Sequence, residues 1–387
     1  MHNQFSPWPS YTKEEVDKVQ KILLSNKVNY WTGEECRKFE KEFAIWSGSK
    51  FAVALANGTV ALDSALKALG IGEGDEVIVT SRSYIASISS IVNSGATPVF
   101  ADVDLSSQNI TSDSIKPLIN NKTKGILCVH LAGWSCEMDE ILDIANENNL
   151  YVIEDCAQAH GAKYKGKSVG SFGQIGCWSF CQDKIMTTGG EGGMVTTNDE
   201  TLWRRMWEYK DHGKSYEAVY HLKQPKGFKW LHESFGTNWR MTEIQAAIGR
   251  IQLTRMPEWH ERRLNNANMI WNAAKKCKGI RVPNIPDYIE HAGYKCYVFI
   301  DAGFKIRDKM MSQINKKGIP CYSGSCSEVY LEKAFDNKKF RPKKRLHNAK
   351  KLGETSLMFL IHPTLTKVEI QNTCKVLTEV SQANLIN

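Results

Sequence analysis

The sequence of 387 residues contains no long apolar segment, no C-x-x-C pair and no internal repeat. No apolar run approaches the roughly 20 residues that a membrane-spanning helix requires. Residues 1–11 are polar and aromatic, whereas a secretion signal has basic residues followed by an apolar stretch. We therefore expect a protein that stays in the cytoplasm and has no membrane partner.

The cysteines also lack the pattern of a disulfide framework. There are eleven, an odd number, and Cys128, Cys156 and Cys296 lie inside apolar segments. Exported small domains place cysteines in even numbers at recurrent spacings. The pattern favours free thiols in a reducing compartment.

Composition excludes disordered and fibrous proteins, because 42% of the residues are hydrophobic and 24% are charged. A chain of this length and composition buries a substantial core. The net charge of +8 is compatible with nucleic acid, with anionic metabolites or with neither. Neither a helix-turn-helix segment nor a basic motif interleaved with aromatic residues supports a nucleic-acid partner.

Apolar periodicity predicts alternating strands and helices through the first two thirds of the chain. Thr12 and Glu15 form a capping box at the start of the first helix. Strands are predicted over residues 51–56, 76–80, 98–103, 125–130, 150–154, 177–180 and 193–197, and helices over residues 61–69, 84–93, 138–148 and 200–209. This alternation is typical of an α/β fold, with a mostly parallel sheet covered by helices.

The remaining third of the chain has a different pattern. A long helix is predicted over residues 241–277, bent near Pro257. A strand over 294–300 and helices over 307–317 and 367–383 then predict a smaller α+β region. We place the boundary near residue 255, which gives a large domain of residues 1–255 and a small C-terminal domain of residues 256–387.

Ligands of open parallel sheets bind at the carboxyl ends of the strands, and two such ends carry polar residues early in the chain. Asn57-Gly58-Thr59 joins a strand to a helix N-terminus, whose amides and dipole favour a phosphate. The same tripeptide also fits an ordinary turn with an N-cap. Asp155 closes a later apolar strand, where a carboxylate would suit a pyridinium nitrogen or a salt bridge that holds a loop.

A third strand end carries Lys184, which follows Ser179 and precedes the glycine-rich turn from Gly189 to Gly193. Glycines let the backbone approach a ligand closely, and a lysine in a semi-buried, partly cationic site has a lowered pKa and can form a Schiff base. A single lysine is more often a solvated surface group. Together, however, the phosphate cradle, the strand-end aspartate and this lysine are the parts that pyridoxal phosphate needs.

The motifs in their order resemble those of the nucleotide-sugar aminotransferases of the DegT-type (StrS-type) family, over nearly the whole chain. They are Asn57-Gly58-Thr59, Asp155-Cys-Ala-Gln158-Ala-His160-Gly, Ser179-Phe-x-x-x-Lys184, Gly189-Gly-Glu-Gly-Gly193 and Asn238-Trp-Arg240-Met. The resemblance implies a pyridoxal-phosphate enzyme of fold type I. It also implies a sheet of the seven-stranded type, mostly parallel and sandwiched by helices, with a smaller C-terminal α+β domain.

The resemblance also implies a role for each residue of these motifs. Lys184 would be the Schiff-base lysine and proton shuttle, and its presence argues for amino transfer over the dehydration catalysed by relatives that have histidine there. The implied cofactor contacts are Asp155 at the pyridine nitrogen, Gln158 near the phenolic oxygen, Tyr84 stacked on the ring, and Gly58, Thr59 and Ser179 at the phosphate. Asn238 would reach the same phosphate from the neighbouring subunit, which implies a homodimer with shared active sites.

We expect L-glutamate to donate the amino group, through the pyridoxamine phosphate form, to a nucleotide-linked 4-keto-6-deoxyhexose. Amination at C4 of a dTDP sugar would give a 4-amino-4,6-dideoxy sugar for a surface polysaccharide such as lipopolysaccharide O-antigen. Amination at C3, another fold type I reaction and a cofactor-binding regulatory protein are the alternatives. The candidate substrate contacts are Trp31, His130, His160 and Arg240, with packing as the competing role of Trp31 and His160, and no metal site is predicted.

Overall fold

A computed structural model of the chain describes residues 5–223, 226–336 and 340–385. These residues form a seven-stranded sheet flanked by helices, a four-stranded sheet and a small three-stranded sheet. The strands are β1 (Phe51–Leu55), β2 (Glu76–Thr80), β3 (Thr97–Ala101), β4 (Thr123–Val129), β5 (Tyr151–Asp155), β6 (Lys163–Tyr164), β7 (Lys167–Ser168), β8 (Ile175–Ser179), β9 (Gly193–Thr197), β10 (Ile280–Arg281), β11 (Ile289–Glu290), β12 (Cys296–Ile300), β13 (Cys321–Tyr322) and β14 (Ser356–Phe359).

The helices account for most of the remaining regular structure. They are α1 (Lys13–Ser25), α2 (Glu35–Ser47), α3 (Gly58–Ala68), α4 (Ala86–Asn93), α5 (Ser112–Ile115), α6 (Met138–Glu147), α7 (Glu200–Tyr209), α8 (Tyr216–Tyr220), α9 (Glu243–Ala274), α10 (Phe304–Lys316), α11 (His347–Thr355) and α12 (Lys367–Leu385). Short 3₁₀ turns lie at Lys116–Leu118, Leu131–Gly133, Val329–Leu331 and Lys333–Phe335.

The large sheet has the strand order β1-β9-β8-β5-β4-β2-β3. Strands β8, β5, β4, β2 and β3 run parallel to one another, whereas β9 is antiparallel to both β1 and β8. The predicted α/β class with a mostly parallel sheet is therefore confirmed. Because β9 runs against its neighbours, its first residue lies at the edge where β1, β8 and β5 end.

Local sequence signals placed several elements correctly. Strands β2 and β9 and helix α7 have the predicted bounds, and the capping box is present, since the backbone N–H of Thr12 donates to the Glu15 carboxylate at 2.9 Å. The long helix is also present as α9 and continues through Pro257. A bend at that proline stays a prediction.

Two hydrophobic clusters support the molecule. The main cluster covers the large sheet and reaches Tyr297 and Phe299 of β12, and the second packs β12 and β14 against α10 and α12. The predicted boundary at residue 255 falls inside α9, whose Leu253 and Trp259 join the main cluster while Ala267 joins the second. The division into two domains stays a prediction.

A buried carboxylate fixes the loop beside the central strand β5. Glu154 has no exposed surface, and its carboxylate accepts from the N–H groups of Gly170 at 2.7 Å and of Phe172 and Gly173 at 2.8 Å each. The fourth contact is His130 Nε2 at 3.0 Å. Burial opposes ionisation, but these donors outweigh it and hold the pKa of Glu154 below its ordinary value.

No helix among the described residues combines the length and apolar character needed to cross a membrane.

The substitution Glu154→Gln should destabilise the fold by about 3 kcal/mol, because it removes a buried charge that four donors satisfy. Since the folded state lowers the pKa of Glu154, its contribution is present above the unfolded value of about 4.3 and is lost as the pH falls through the folded value. Denaturation midpoints measured from pH 7 to pH 3 should therefore show a difference from wild type that shrinks on acidification. Glu147→Gln, at an exposed position of α6, is the matched control and should leave the midpoint unchanged. Equal midpoints for the two variants at pH 7 would contradict the role given to Glu154.

Candidate active site

The register of the large sheet brings the three predicted strand ends together. Gly193, the first residue of β9, lies opposite Leu55 of β1 on one side and Ser179 of β8 on the other. Asp155 at the end of β5 lies opposite Cys177 of β8. The turn at Asn57, the strand end at Asp155 and the segment that carries Lys184 therefore share one edge of the sheet.

The first part of the site is the N-terminal turn of α3. The side chain of Asn57 caps this helix by accepting from the N–H of Val60 at 3.0 Å, and the first amides of a helix have no intrahelical acceptor. A Cβ at Gly58 would lie 2.6 Å from the Cβ of Ser179, and a Cβ at Gly193 would lie 2.2 Å from the carbonyl oxygen of Asn57. Glycine at both positions therefore allows the helix start and the Ser179 hydroxyl to face one small space, as a phosphate requires.

Asp155 is the second part of the site and is 5% exposed. Its Oδ2 accepts from the Ser87 hydroxyl at 2.7 Å and its Oδ1 accepts from the N–H of Ala157 at 3.1 Å. Ser87 is itself fixed by Ser83, whose hydroxyl lies 2.9 Å away. The contacts found for this carboxylate in the described part of the chain are neutral, so a pyridinium nitrogen fits it as the missing cation.

Gln158 holds the turn that follows β4. Its Oε1 accepts from the N–H of Ala132 at 2.9 Å, and Ala132 has a positive φ of 59°, which a non-glycine residue adopts only when its surroundings hold it there. The side-chain amide nitrogen of Gln158 forms no hydrogen bond within the described residues and so remains available as a donor.

Lys184 is the third part, and its side chain is 15% exposed. Its Nζ lies 4.0 Å from Oδ1 of Asp183 and 5.2 Å from the ring centroid of Tyr294. Its carbonyl oxygen accepts from the indole N–H of Trp8 at 2.8 Å, which fixes the main chain at this position. Sequence reasoning missed Asp183 and Tyr294, because the lysine motif specifies no residue at position 183 and Tyr294 is distant in sequence.

Tyr84 and Asn238 both lie at the surface of this chain. Tyr84 is 70% exposed, and Asn238 is exposed on a segment that pairs with Asp211. The carbonyl oxygen of Trp239 accepts from the N–H of Ala56 at 2.9 Å, so this segment runs beside the Asn57 turn. Stacking by Tyr84 and a contact of Asn238 with a neighbouring subunit stay predictions.

Two of the predicted substrate contacts converge on one buried carboxylate. Asp211 Oδ2 accepts from the indole N–H of Trp31 at 2.6 Å, and Asp211 Oδ1 accepts from the guanidinium of Arg240. Lys214 Nζ lies 3.2 Å from Oδ1 of Asp211 and 4.4 Å from the ring of Trp31. Asp211 carried no motif signal, and the structure assigns it the role of joining these three groups beside the cradle.

His130 and His160 occupy the interior. The two ring nitrogens of His130 are engaged by Glu154 and by the N–H of Cys136 at 3.0 Å each, so the geometry leaves no ring nitrogen for the predicted sugar contact. His160 has no exposed surface and packs against Trp178 and Phe180. Burial, with Lys184 and Arg263 nearby, lowers its pKa to about 3, so the ring is neutral and suits packing.

Known proteins resemble this chain over most of its length. The model of the DegT/DnrJ/EryC1/StrS aminotransferase family matches residues 9–378. The GDP-perosamine synthase of Escherichia coli O157:H7 is 45% identical over 265 residues, 67% of this chain and 68% of that protein. The dTDP-3-amino-3,6-dideoxy-alpha-D-galactopyranose transaminase of Aneurinibacillus thermoaerophilus is 42% identical over 253 residues, 65% of this chain and 66% of that protein. The X-ray structure of an aminotransferase from Psychrobacter cryohalolentis superimposes with a TM-score of 0.96 at 62% identity, over 99% of this chain and 100% of that one.

The substitution Gly58→Ala should weaken the binding of pyridoxal 5′-phosphate about tenfold or more, because the new Cβ would overlap Ser179 at a cost of about 1–3 kcal/mol. Titration of the cofactor-free protein, followed by absorbance, measures the affinity. Gly72→Ala places the same methyl group beyond the other end of α3, where its nearest neighbour is the Ser94 carbonyl at 3.3 Å, and should bind normally. Normal binding by Gly58→Ala would contradict the assignment of this turn as the phosphate site.

Proposed function

Because the chain belongs to the DegT/DnrJ/EryC1/StrS aminotransferase family, we propose that this sugar aminotransferase transfers an amino group from L-glutamate to C4 of a nucleoside-diphosphate 4-keto-6-deoxyhexose. The predicted cofactor, pyridoxal phosphate, and the predicted fold type I are confirmed by the family and by the related structures. The observation that carries the proposal is the presence of Lys184, Asp155 and the Gly58 cradle at one sheet edge.

When bound, pyridoxal phosphate supplies an aldehyde that takes up the amino group and a protonated ring that withdraws electrons from the donor. Asp155, fixed by Ser87 and Ala157, would keep the ring nitrogen protonated. The amides of Gly58 and Thr59, with the Ser179 hydroxyl, would hold the phosphate.

Lys184 would hold the cofactor through its amine until the amino donor takes its place. Its free amine would then accept the proton of the donor's α-carbon as general base and give that proton back as general acid. Glutamate would leave as 2-oxoglutarate, and the keto sugar would receive the amine in the second half of the cycle. Gln158 would donate to the phenolic oxygen through the amide nitrogen that its contact with Ala132 leaves available.

The substrate diphosphate would bind to the cations that contact Asp211. Arg240 and Lys214 both contact this carboxylate and lie beside the Asn57 turn, and guanidinium groups form strong charge-assisted bonds to phosphate. Trp31 would contribute its ring next to them, and Tyr84 would cover the exposed face of the cofactor. We leave His130 out of the substrate site because its ring is enclosed by Glu154 and Cys136.

The choice of nucleotide and position goes beyond what the relatives share. One related enzyme is named for a GDP sugar and the other for a dTDP-linked 3-amino sugar. We retain dTDP and C4 as the proposed pair, with GDP and C3 as the competing nucleotide and position. The product would enter a surface polysaccharide such as lipopolysaccharide O-antigen, and the reaction would take place in the cytoplasm, where nucleotide sugars and glutamate are available.

A homodimer with shared active sites is part of the proposal. The segment before Asn238 exposes three large apolar side chains, Phe228 at 74%, Trp230 at 80% and Phe235 at 99%. Exposed apolar surface of this kind is typical of a protein interface. A second copy would cover these side chains and receive Asn238 at its cofactor phosphate.

Incubation of the enzyme with glutamate and dTDP- or GDP-linked 4-keto-6-deoxyhexoses should aminate the dTDP sugar, with the new C–N bond at C4. Product NMR locates the bond, and 2-oxoglutarate release measures turnover.

Lys184→Ala should lose the absorbance of the lysine-bonded cofactor and all turnover, whereas Lys50→Ala, at an exposed position, should retain both. A normally coloured, active Lys184→Ala variant would contradict the assignment of Lys184, and a product aminated at C3 would contradict the proposed position.

The purified mixed dimer of Lys184→Ala and Asn238→Asp should regain about one half of wild-type activity, because in a twofold dimer with shared sites one of its two sites combines the intact Lys184 with the intact Asn238. Each variant alone should be nearly inactive, since one lacks the reactive amine and the other places a negative charge beside the phosphate. Two affinity tags allow the mixed dimer to be purified and its turnover measured. No recovery in the mixed dimer would show that Asn238 serves its own subunit.

A further inference from the structure

The amino group of Lys184 lies in a small site formed by two residues that the family motifs do not specify. Asp183 Oδ1 is 4.0 Å from Nζ, and the ring of Tyr294 faces Nζ at 5.2 Å. The phenol of Tyr294 donates to the other oxygen of Asp183. The carboxylate and the aromatic ring are thus joined to each other as well as to the lysine.

Tyr294 is held in this position by the turn that Gln158 fixes. The N–H of Tyr294 donates to the Ala132 carbonyl at 3.1 Å, and the N–H of Ala292 donates to the Gly133 carbonyl at 2.7 Å. A Cβ at Gly133 would come within 3.0 Å of the Cβ of Ala292, so glycine permits this close approach. A continuous set of contacts therefore connects Gln158 with Asp183 and Lys184.

The remaining charged groups around Lys184 are mostly basic. Arg263 on α9 is buried, and its Nε and Nη2 find no hydrogen-bond acceptor within the described residues. Burial, with Arg263 and Lys184 nearby, lowers the pKa of Lys295 to about 8 although Asp183 opposes this shift. The ionisable groups facing this region from the packed segments are His160, Cys181, Asp183, Arg263, Tyr294, Lys295 and His362.

Within this basic surrounding, Asp183 is the anion of the site. Partial burial opposes its ionisation, but Lys184 and the Tyr294 hydroxyl outweigh burial and keep the pKa of Asp183 below its ordinary value. Burial and the adjacent Asp183 raise the pKa of Tyr294 well above its ordinary value, so the phenol stays protonated and donates. An ionised carboxylate and an aromatic face both attract an ammonium group.

We infer that Asp183 and Tyr294 form a holding site for the amino group of Lys184 during the part of the cycle in which this lysine is not bonded to the cofactor. The inference rests on the proposed role of Lys184. A free lysine side chain has many rotamers, and fixing it in one of them costs conformational entropy. The holding site offsets that cost and keeps the amine within reach of the proton that it transfers. Asp183 and Tyr294 are positioning residues, since they act through Lys184.

The test follows the amine of Lys184 in the cofactor-free protein. Reductive ¹³C-methylation labels the lysines, the Lys184 resonance is identified by its absence in Lys184→Arg, and NMR measures its chemical shift. Asp183→Asn should move the Lys184 resonance toward the position of solvent-exposed lysines, because it removes an opposite charge near 4 Å that holds the amine. Tyr294→Phe retains the ring and should produce a smaller change in the same direction. Asp113→Asn, at an exposed position of α5, is the matched control and should leave the resonance unchanged.

A second measurement connects the site to the chemistry. The amine must be neutral to accept the donor's proton, and a neighbouring carboxylate favours the charged amine, so the acidic limb of the pH profile of the glutamate half-reaction should move to lower pH in Asp183→Asn. A Lys184 resonance that has the same position in Asp183→Asn as in the Asp113→Asn control would overturn the holding site. Retention of cofactor bonding by Lys184→Ala would instead overturn the role of Lys184, so the two failures are distinguishable.

Discussion

The active site depends on the close approach of three backbone segments at Gly193. This residue starts the only strand of the large sheet, among the described residues, that runs antiparallel to both neighbours, and it lies opposite Leu55 and Ser179 at once. Gly193 has no side chain, so the carbonyl oxygen of Asn57 can approach its backbone closely. A Cβ at position 193 would lie only 2.2 Å from that oxygen. The start of α3 is thereby brought to the Ser179 hydroxyl. The proposed phosphate cradle is thus a consequence of strand direction and of missing side chains more than of any single binding residue.

A second set of contacts connects this cradle with the C-terminal part of the chain. Gln158 fixes the Ala132 turn, and that turn receives the backbone of Ala292 and Tyr294 through two hydrogen bonds. Tyr294 then reaches Asp183. Gln158, which we propose to contact the cofactor, and Tyr294, which contacts the residue before Lys184, are therefore positioned by the same turn. Movement of the segment around Tyr294 would change the surroundings of Lys184 without changing the phosphate cradle.

Sequence reasoning identified the parts of the site that are specified locally. An apolar run followed by an N-cap or by glycines is visible within a few residues, which is why β2, β9 and the Asn57 turn could be predicted. Asp211 and Tyr294 were missed because Trp31 and Arg240, which contact Asp211, and Asp183, which contacts Tyr294, are distant from them in sequence. Asp183 was missed although it precedes Lys184 directly, because the lysine motif specifies no residue at its position. For His130 the error was the reverse, because a substrate contact was predicted for a ring whose two nitrogens are both engaged within the chain. It follows a strand as a ligand-binding residue would, but the neighbouring strand places Glu154 3.0 Å from its ring, and the ring turns inward.

The distribution of charge explains more about ligand choice than the net charge of +8. Beside the Asn57 turn, three cations lie near two carboxylates. Lys210 lies near Glu40, and both Lys214 and Arg240 contact Asp211. Lys210 has no exposed surface, and its Nζ has no hydrogen-bond partner in the described part of the chain. Arg263 adds a further buried cation near Lys184. An excess of positive charge in a region of low dielectric constant is stabilised when an anion binds. A phosphorylated cofactor and a diphosphate-linked sugar are small anions that would supply this charge at the sheet edge, whereas a long polyanion would need a continuous basic surface.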